Sequence, residues 1–114
     1  MRDRFDIGLL DPEFPFEIDD DNRPHLYKHV AGSDGRWIGL GLPDIVDLYL
    51  ADDTEFQEGV EEGPADWLMV GEVPGVFLIV PLAPPRSKDT TQCRPIGIYS
   101  PSRDPREMHQ KGTK

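Results

Sequence analysis

Residues 65–82, ADWLMVGEVPGVFLIVPL, constrain the fold of this chain more than any other stretch. Two apolar runs, 67–70 and 76–80, flank Val73, Pro74 and Gly75. The side chains are mostly β-branched, aromatic or long and apolar, which suits a pleated, half-buried surface. Each run is too short for an ordinary helix, and Pro and Gly punctuate the middle. The pattern predicts an antiparallel hairpin at the centre of the core. Trp67, Met69 and Gly71 share one face, and Leu68, Val70 and Glu72 the other. Phe77 and Ile79 oppose Val76, Leu78 and Val80. Apolar side chains on both faces mark the hairpin as central and at least partly covered on both sides. L-Pro followed by Gly favours a type II turn, which splays a two-residue hairpin. A longer connection, or a bulge near Glu72, is therefore expected.

A chain of 114 residues with 37% hydrophobic content reads as a single domain, 1–114, with a small core. Residues 1–12 and 105–114 read as peripheral, and marginal dimerisation, giving a homodimer, is compatible with so modest a core. No apolar run approaches the roughly 18 residues of a membrane span. The N-terminus has no signal-like apolar region, so a cytoplasmic location is expected. The single cysteine, Cys93, permits no internal disulfide and fits a reducing compartment. An inert, buried thiol suits it better than a nucleophile, because no Cys–His pattern accompanies it.

Formal charge is −10, from 12 basic and 22 acidic residues. Taken whole, that opposes nucleic-acid binding, which depends on Lys and Arg displacing counterions. The distribution is uneven. Asp44, Asp47, Asp52, Asp53, Glu55, Glu58, Glu61, Glu62 and Asp66 form an acidic middle with no Lys or Arg among them. Arg86, Lys88, Arg94, Arg103, Arg106, Lys111 and Lys114 give a basic end, against Asp89, Asp104 and Glu107. The acidic stretch is most simply a solvated face. Its sharper reading is a dock for a basic partner, such as the basic end of another copy.

The rest of the chain supplies the other elements. Residues 14–18, FPFEI, predict a short edge strand, since Pro15 cannot donate to a ladder. Asp19, Asp20, Asp21 and Asn22, with Pro24, look like the cap and first turn of a helix over 22–30. That helix would carry His25 and His29 on one face, and Gly32 would end it. Trp37, Ile38 and Leu40 dock the following loop or make a short strand. A second helix begins near Pro43, with Ile45, Leu48, Tyr49 and Asp52 on one side. Residues 54–59 suggest a short polar strand, and 93–100 an alternating strand at an edge or bulge. Residues 104–110 suggest a helical turn, and 112–114 a frayed end. Helices first and strands afterwards give an α+β fold: an antiparallel sheet with N-terminal helices packed on one side.

Several of these pieces together resemble the BrnT-like family of small type II toxin–antitoxin toxins, ribonucleases with a RelE-like fold. That family opens with an aromatic-Glu-x-Asp strand, matched by Phe16, Glu17, Ile18 and Asp19. An Asn and a Lys/Arg-His pair follow in a helix, matched by Asn22, Lys28 and His29. A strand ending in an aliphatic-Gly pair is matched by Val70 and Gly71, and an Arg-x-Ile strand by Arg94, Pro95 and Ile96. A Glu of the terminal helix is matched by Glu107. The family commonly carries an Arg just before the aliphatic-Gly strand, where this chain has Asp66, and its toxins tend to be basic.

The resemblance implies a metal-independent endoribonuclease needing no cofactor, with an RNA substrate and an antitoxin protein as partners. Such cleavage needs a base for the 2′-hydroxyl, an acid for the leaving oxygen, and a cation for the crowded phosphate. His29 or His25 could move protons near neutral pH. Lys28, Arg94 and Arg103 could supply charge, Arg being the better bidentate phosphate partner. Glu17 could serve as a base or orient a histidine. Tyr99, with Tyr27 and Trp37, could stack a base. Plainer roles compete with each of these. The histidines would pin a helix to a strand, Lys28 would be solvated, Arg94 would pair with a carboxylate from the acidic middle, and the aromatic rings would pack. A catalytically inactive binding or regulatory module of the same fold, with a protein partner, is the alternative. His25 and His29, four apart, could also face one metal ion on a helix, although no third ligand sits at a diagnostic spacing.

Overall fold

The computed structural model describes residues 3–31 and 36–100. In chain order these form β1 (Lys28–Ala31), β2 (Trp37–Leu40), α1 (Leu42–Leu50), β3 (Glu55–Glu58), β4 (Trp67–Val73), β5 (Val76–Ala83) and β6 (Arg94–Pro95). Single 3-10 turns occupy Ile7–Leu9 and Arg23–His25. The architecture is α+β. A four-stranded antiparallel sheet runs β3-β4-β5-β6, and β1 and β2 form a separate two-stranded ribbon.

β4 and β5 are the central hairpin that the apolar pattern predicts. Their register runs unbroken from Trp67↔Leu82 to Val73↔Val76. No bulge forms near Glu72, and Pro74 and Gly75 alone make the connection. The positive φ of Gly75, 86°, lets it take the second turn position without a Cβ penalty. The turn is therefore tighter than L-Pro-Gly sequences suggest.

Met69, Leu78, Val80 and Leu82, on one face of the hairpin, are fully buried. α1 covers it with Ile45 and Leu48, both 0% exposed. Gly71 permits this approach: a Cβ there would lie 2.9 Å from Leu48 Cδ1. Leu68, Val70, Phe77 and Ile79, on the opposite face, are half-buried. Burying a Leu or Val side chain stabilises the fold by about 1.5–3 kcal/mol, so this layer is its main anchor.

α1 begins at Gly41, whose N–H donates to Asp44 Oδ2 at 2.8 Å. Pro43 in the first turn loses no intrahelical hydrogen bond. The N-terminal segment is tied down as well. Arg4 Nε donates to the Asp66 carbonyl and Arg4 Nη2 to that of Gly59, each at 3.1 Å. Phe5 N donates to Asp66 Oδ2 at 3.0 Å. Leu10, 6% exposed, joins the core.

Three expectations need correction. No helix spans 22–30: after the turn Arg23–His25 the chain becomes extended and enters β1. Leu26 and Val30 are each 3% exposed, so their four-residue spacing satisfies the core from two different elements. Pro24 fits a single turn, while β-branched Val30 and the alternating run at 37–40 favour a hairpin. The helices packed on the sheet therefore reduce to α1 among the described residues. Residues 14–18 make only a bridge, Phe16↔Cys93, which is parallel. The strand expected over 93–100 shrinks to Arg94–Pro95 plus the bridge Ile79↔Tyr99, because Pro95 offers no N–H to extend a ladder. The turn read at 104–110, the end at 112–114 and the cap at Gly32 lie outside the described residues.

Candidate functional site

The bridge at Phe16 decides where the N-terminal acids go. Glu17 N donates to the Cys93 carbonyl at 2.8 Å, and Cys93 N to that of Pro15 at 2.7 Å. This pairing sets Glu17 and Asp19 beside Arg94, which is 8% exposed. Arg94 Nε and Nη2 donate to the two carboxylate oxygens of Asp19, both at 3.1 Å. Its Nε also lies 3.5 Å from Glu17 Oε1. Glu17 in turn accepts from the N–H groups of Arg86, at 2.7 Å, and Ser87, at 3.0 Å. The Arg86 side chain pairs with Asp21 and reaches within 3.7 Å of Asp19.

Asn22 holds this arrangement from beneath. It is 2% exposed. Its Nδ2 donates to the carbonyls of Glu17, at 2.8 Å, and Pro95, at 3.0 Å. Its Oδ1 accepts from Asp19 N at 2.7 Å. One side chain thus joins residues 17–22 to β6, and its polar atoms are all used.

The electrostatics follow from these contacts. Asp19 is lowered to about 2, chiefly by the hydrogen bonds from Arg94 and then by the Asn22 N–H. Burial pushes the Glu17 carboxyl upward, but the N–H groups of Arg86 and Ser87 and the charge of Arg94 together hold it below its ordinary value. Arg86 is raised, mainly by its hydrogen bond to Asp21. Both carboxylates stay ionised at neutral pH with their lone pairs engaged. A general base needs a pKa nearer its working pH and a free lone pair. Arg94, with its fork filled by Asp19, presents little to a phosphate.

The remaining candidates gather around the ribbon. His25 closes its 3-10 turn and is exposed, while His29 stands exposed on β1, so no helical face relates the two histidines. Lys28 Nζ sits 5.3 Å from the centre of the Tyr99 ring, a cation–π contact. Lys28 and His29 are consecutive on a strand and point to opposite faces. His29 meets Tyr27 edge-on, with ring centres 5.6 Å apart. The structure therefore unites Glu17 with Arg94, and Lys28 with Tyr99. Among the described residues no hydrogen bond or ion pair joins Lys28 or His29 to Arg94. Arg103 lies outside the described residues.

Cys93 is fully buried, and burial pushes its thiol up to about 12. That leaves almost no thiolate to act as a nucleophile. Among the described residues no three His, Cys, Asp or Glu side chains gather to hold a metal ion. No helix there is long and apolar enough to cross a membrane.

Sequence reasoning misses the roles of Asn22 and Arg86. Asn22 looks like a helix start, and Arg86 belongs to a polar loop without apolar anchors. The run Glu17, Asp19, Asp21 was the available signal, since clustered acids seek a cation from elsewhere. Comparison with protein-family models, with curated proteins and with solved structures finds no match to this chain.

Proposed function

We propose that this chain is a toxin-like member of the BrnT-like type II toxin–antitoxin family, with a RelE-like fold, that works as a binding module for a protein partner and does not cut RNA. The ordered motifs from Phe16 to Arg94 support the family. The bidentate closure of Asp19 on Arg94, with both contacts at 3.1 Å, carries the functional reading. The cation best suited to a crowded phosphate is committed to a carboxylate inside the fold. Glu17 is committed to the 86–87 turn. The acidic balance of the chain agrees, because a protein partner carries no dense phosphate charge to repel. The partner class the family implies is a small antitoxin protein.

The test pairs two assays. A tagged chain recovered from its own cells should retain a stoichiometric protein, and purified chain should leave RNA intact in EDTA. RNA cleavage by the wild type that disappears in Arg94→Ala would overturn the proposal.

A second reading, metal-independent RNA cleavage, draws support from the Lys28–Tyr99 contact, which sets a cation over a half-exposed ring. It requires cleavage in EDTA that Lys28→Ala abolishes.

A further inference from the structure

The face of the central sheet turned away from α1 is apolar, and the core does not use it. It carries Leu68 and Val70 on β4 and Phe77 and Ile79 on β5, all half-buried. None of these four packs against the buried core. Phe56, Trp67 and Val76, on the same three strands, do so from the other side. α1 also lies on that other side, with Leu48 against Gly71. Apolar side chains gathered off the core are stabilised further only when something covers them.

Pairing across the sheet fixes the order of residues on this face. Glu55 on β3 pairs with Val70, Val70 with Ile79, and Ile79 with Tyr99. One row therefore reads acid, aliphatic, aliphatic, aromatic from edge to edge, over about 14 Å at three strand spacings. Lys28 completes it. Its Nζ sits 5.3 Å from the centre of the Tyr99 ring, which is 52% exposed. Glu55 and Lys28 are both exposed. Among the described residues neither makes an ion pair or a side-chain hydrogen bond. The row thus ends in a carboxylate on one side and an ammonium held only by a ring on the other.

We propose that a second copy of this chain covers this face, sheet against sheet, about a two-fold axis running along the strands between β4 and β5. That rotation exchanges the ends of the row. Glu55 of each copy meets the partner's Lys28, Val70 lies over the partner's Ile79, and Ile79 over the partner's Val70. An axis across the strands would instead set Glu55 on Glu55 and Lys28 on Lys28, so the charges select the first arrangement. Sheets stacked about 10 Å apart with their strands nearly aligned pack in this way. The contact is self-complementary and closes as a dimer. The face spans roughly 20 by 20 Å, from three strand spacings, four residue rises and the side chains at their ends. Two copies then bury roughly 800 Å², short of the about 1,200 Å² of a stable interface, which makes the dimer weak and concentration-dependent. This goes beyond the function proposed above and stands whether or not RNA is cut.

Sedimentation velocity on the full chain tests it. The wild type should pass from monomer to dimer as its concentration rises toward about 1 mM. Glu55→Lys and Lys28→Glu should each raise the dissociation constant about tenfold, because each sets like charges together at both ends of the row. Mixed one to one, these two variants should dimerise again, since the two-fold then joins opposite charges at both ends. Val70→Thr keeps the β-branch, places a hydroxyl at the centre and should weaken the dimer several-fold. All three should keep the wild-type circular dichroism. A wild type that stays monomeric at all concentrations overturns the proposal. So does a dimer indifferent to both reversals, or a mixture of the two variants that associates no better than either alone. A dimer that Trp37→Ser breaks and Glu55→Lys spares puts the contact on the ribbon and overturns it too. A monomer that binds a different protein, and loses it in Glu55→Lys, assigns the face to that partner; this proposal then fails while the binding function proposed above survives.

Discussion

The cluster around Arg94 and the outer face of the ribbon carry similar chemistry to opposite ends. Both bring hydrogen-bonding groups to short range, and the cation of the ribbon, Lys28, points to the other face, over Tyr99. In the cluster each charged group meets its complement within the fold: Asp19 on Arg94, Glu17 on the 86–87 turn, Asn22 on two carbonyls. On the ribbon, Tyr27, Trp37, Lys28 and His29 stay exposed. A satisfied polar network rigidifies a structure and leaves little for a ligand. An exposed aromatic surface costs the monomer solvation and gains only when something covers it. Of the residues that look catalytic in sequence, Glu17 and Arg94 therefore belong to the scaffold, while Lys28 and His29 stay exposed on the ribbon.

That contrast breaks most readily at Asn22. Asn22→Ala strands three backbone groups, one buried and two part-buried, and should lower stability by about 2–3 kcal/mol in urea unfolding. The same variant should leave association of the residual folded protein unchanged. A loss no larger than that of a surface substitution would mean the cluster is not structural.

Next comes Arg94. Arg94→Ala should lower the melting temperature by roughly 5 °C, and Arg94→Lys should not restore it, because an ammonium cannot match both oxygens of Asp19. Asp19 titrates at about 2 in the fold, below its ordinary 3.8. Its stabilisation is thus complete above about pH 4 and is lost as pH falls through 4 toward 2. Glu17, also lowered, adds in the same direction. Asp19→Asn should flatten the stability profile across that window while leaving the slope above pH 5 as it was. An unchanged acid limb would separate Asp19 from Arg94 in solution.

The ribbon should give the smallest effects on folding. Lys28→Ala removes one exposed cation–π contact and should cost about 0.5 kcal/mol. Measured by the same urea unfolding, a loss as large as that of Asn22→Ala would place Lys28 in the scaffold and erase the distinction between the two regions.

How much was legible in advance varies with the range of the interaction. The β4–β5 hairpin, α1 and β3 follow from local apolar pattern and punctuation. Its Pro-Gly turn did not, because register across seven paired positions outweighs the splay that a type II turn prefers. The helix read over 22–30 shows the opposite failure: the four-residue spacing of His25 and His29 fits one helix face, and it equally fits a turn followed by a strand, with Leu26 buried from the one and Val30 from the other. For the candidate site, a carboxylate partner for Arg94 was foreseeable, but the expected source, the acidic middle, was wrong: the partner is Asp19. The acidic middle offered many acids, and Asp19 prevailed because the Phe16↔Cys93 bridge carries it there.

The sequence by itself determined the α+β class, the central hairpin and the uneven distribution of charge, since these depend on side-chain pattern and composition. Only the tertiary structure decided that Arg94 faces inward to Asp19 while Trp37 faces outward to water. Arg94 and Asp19 lie 75 positions apart in the sequence. Whether a charge is spent or available depends on which backbone segments pair, and no local pattern encodes that pairing.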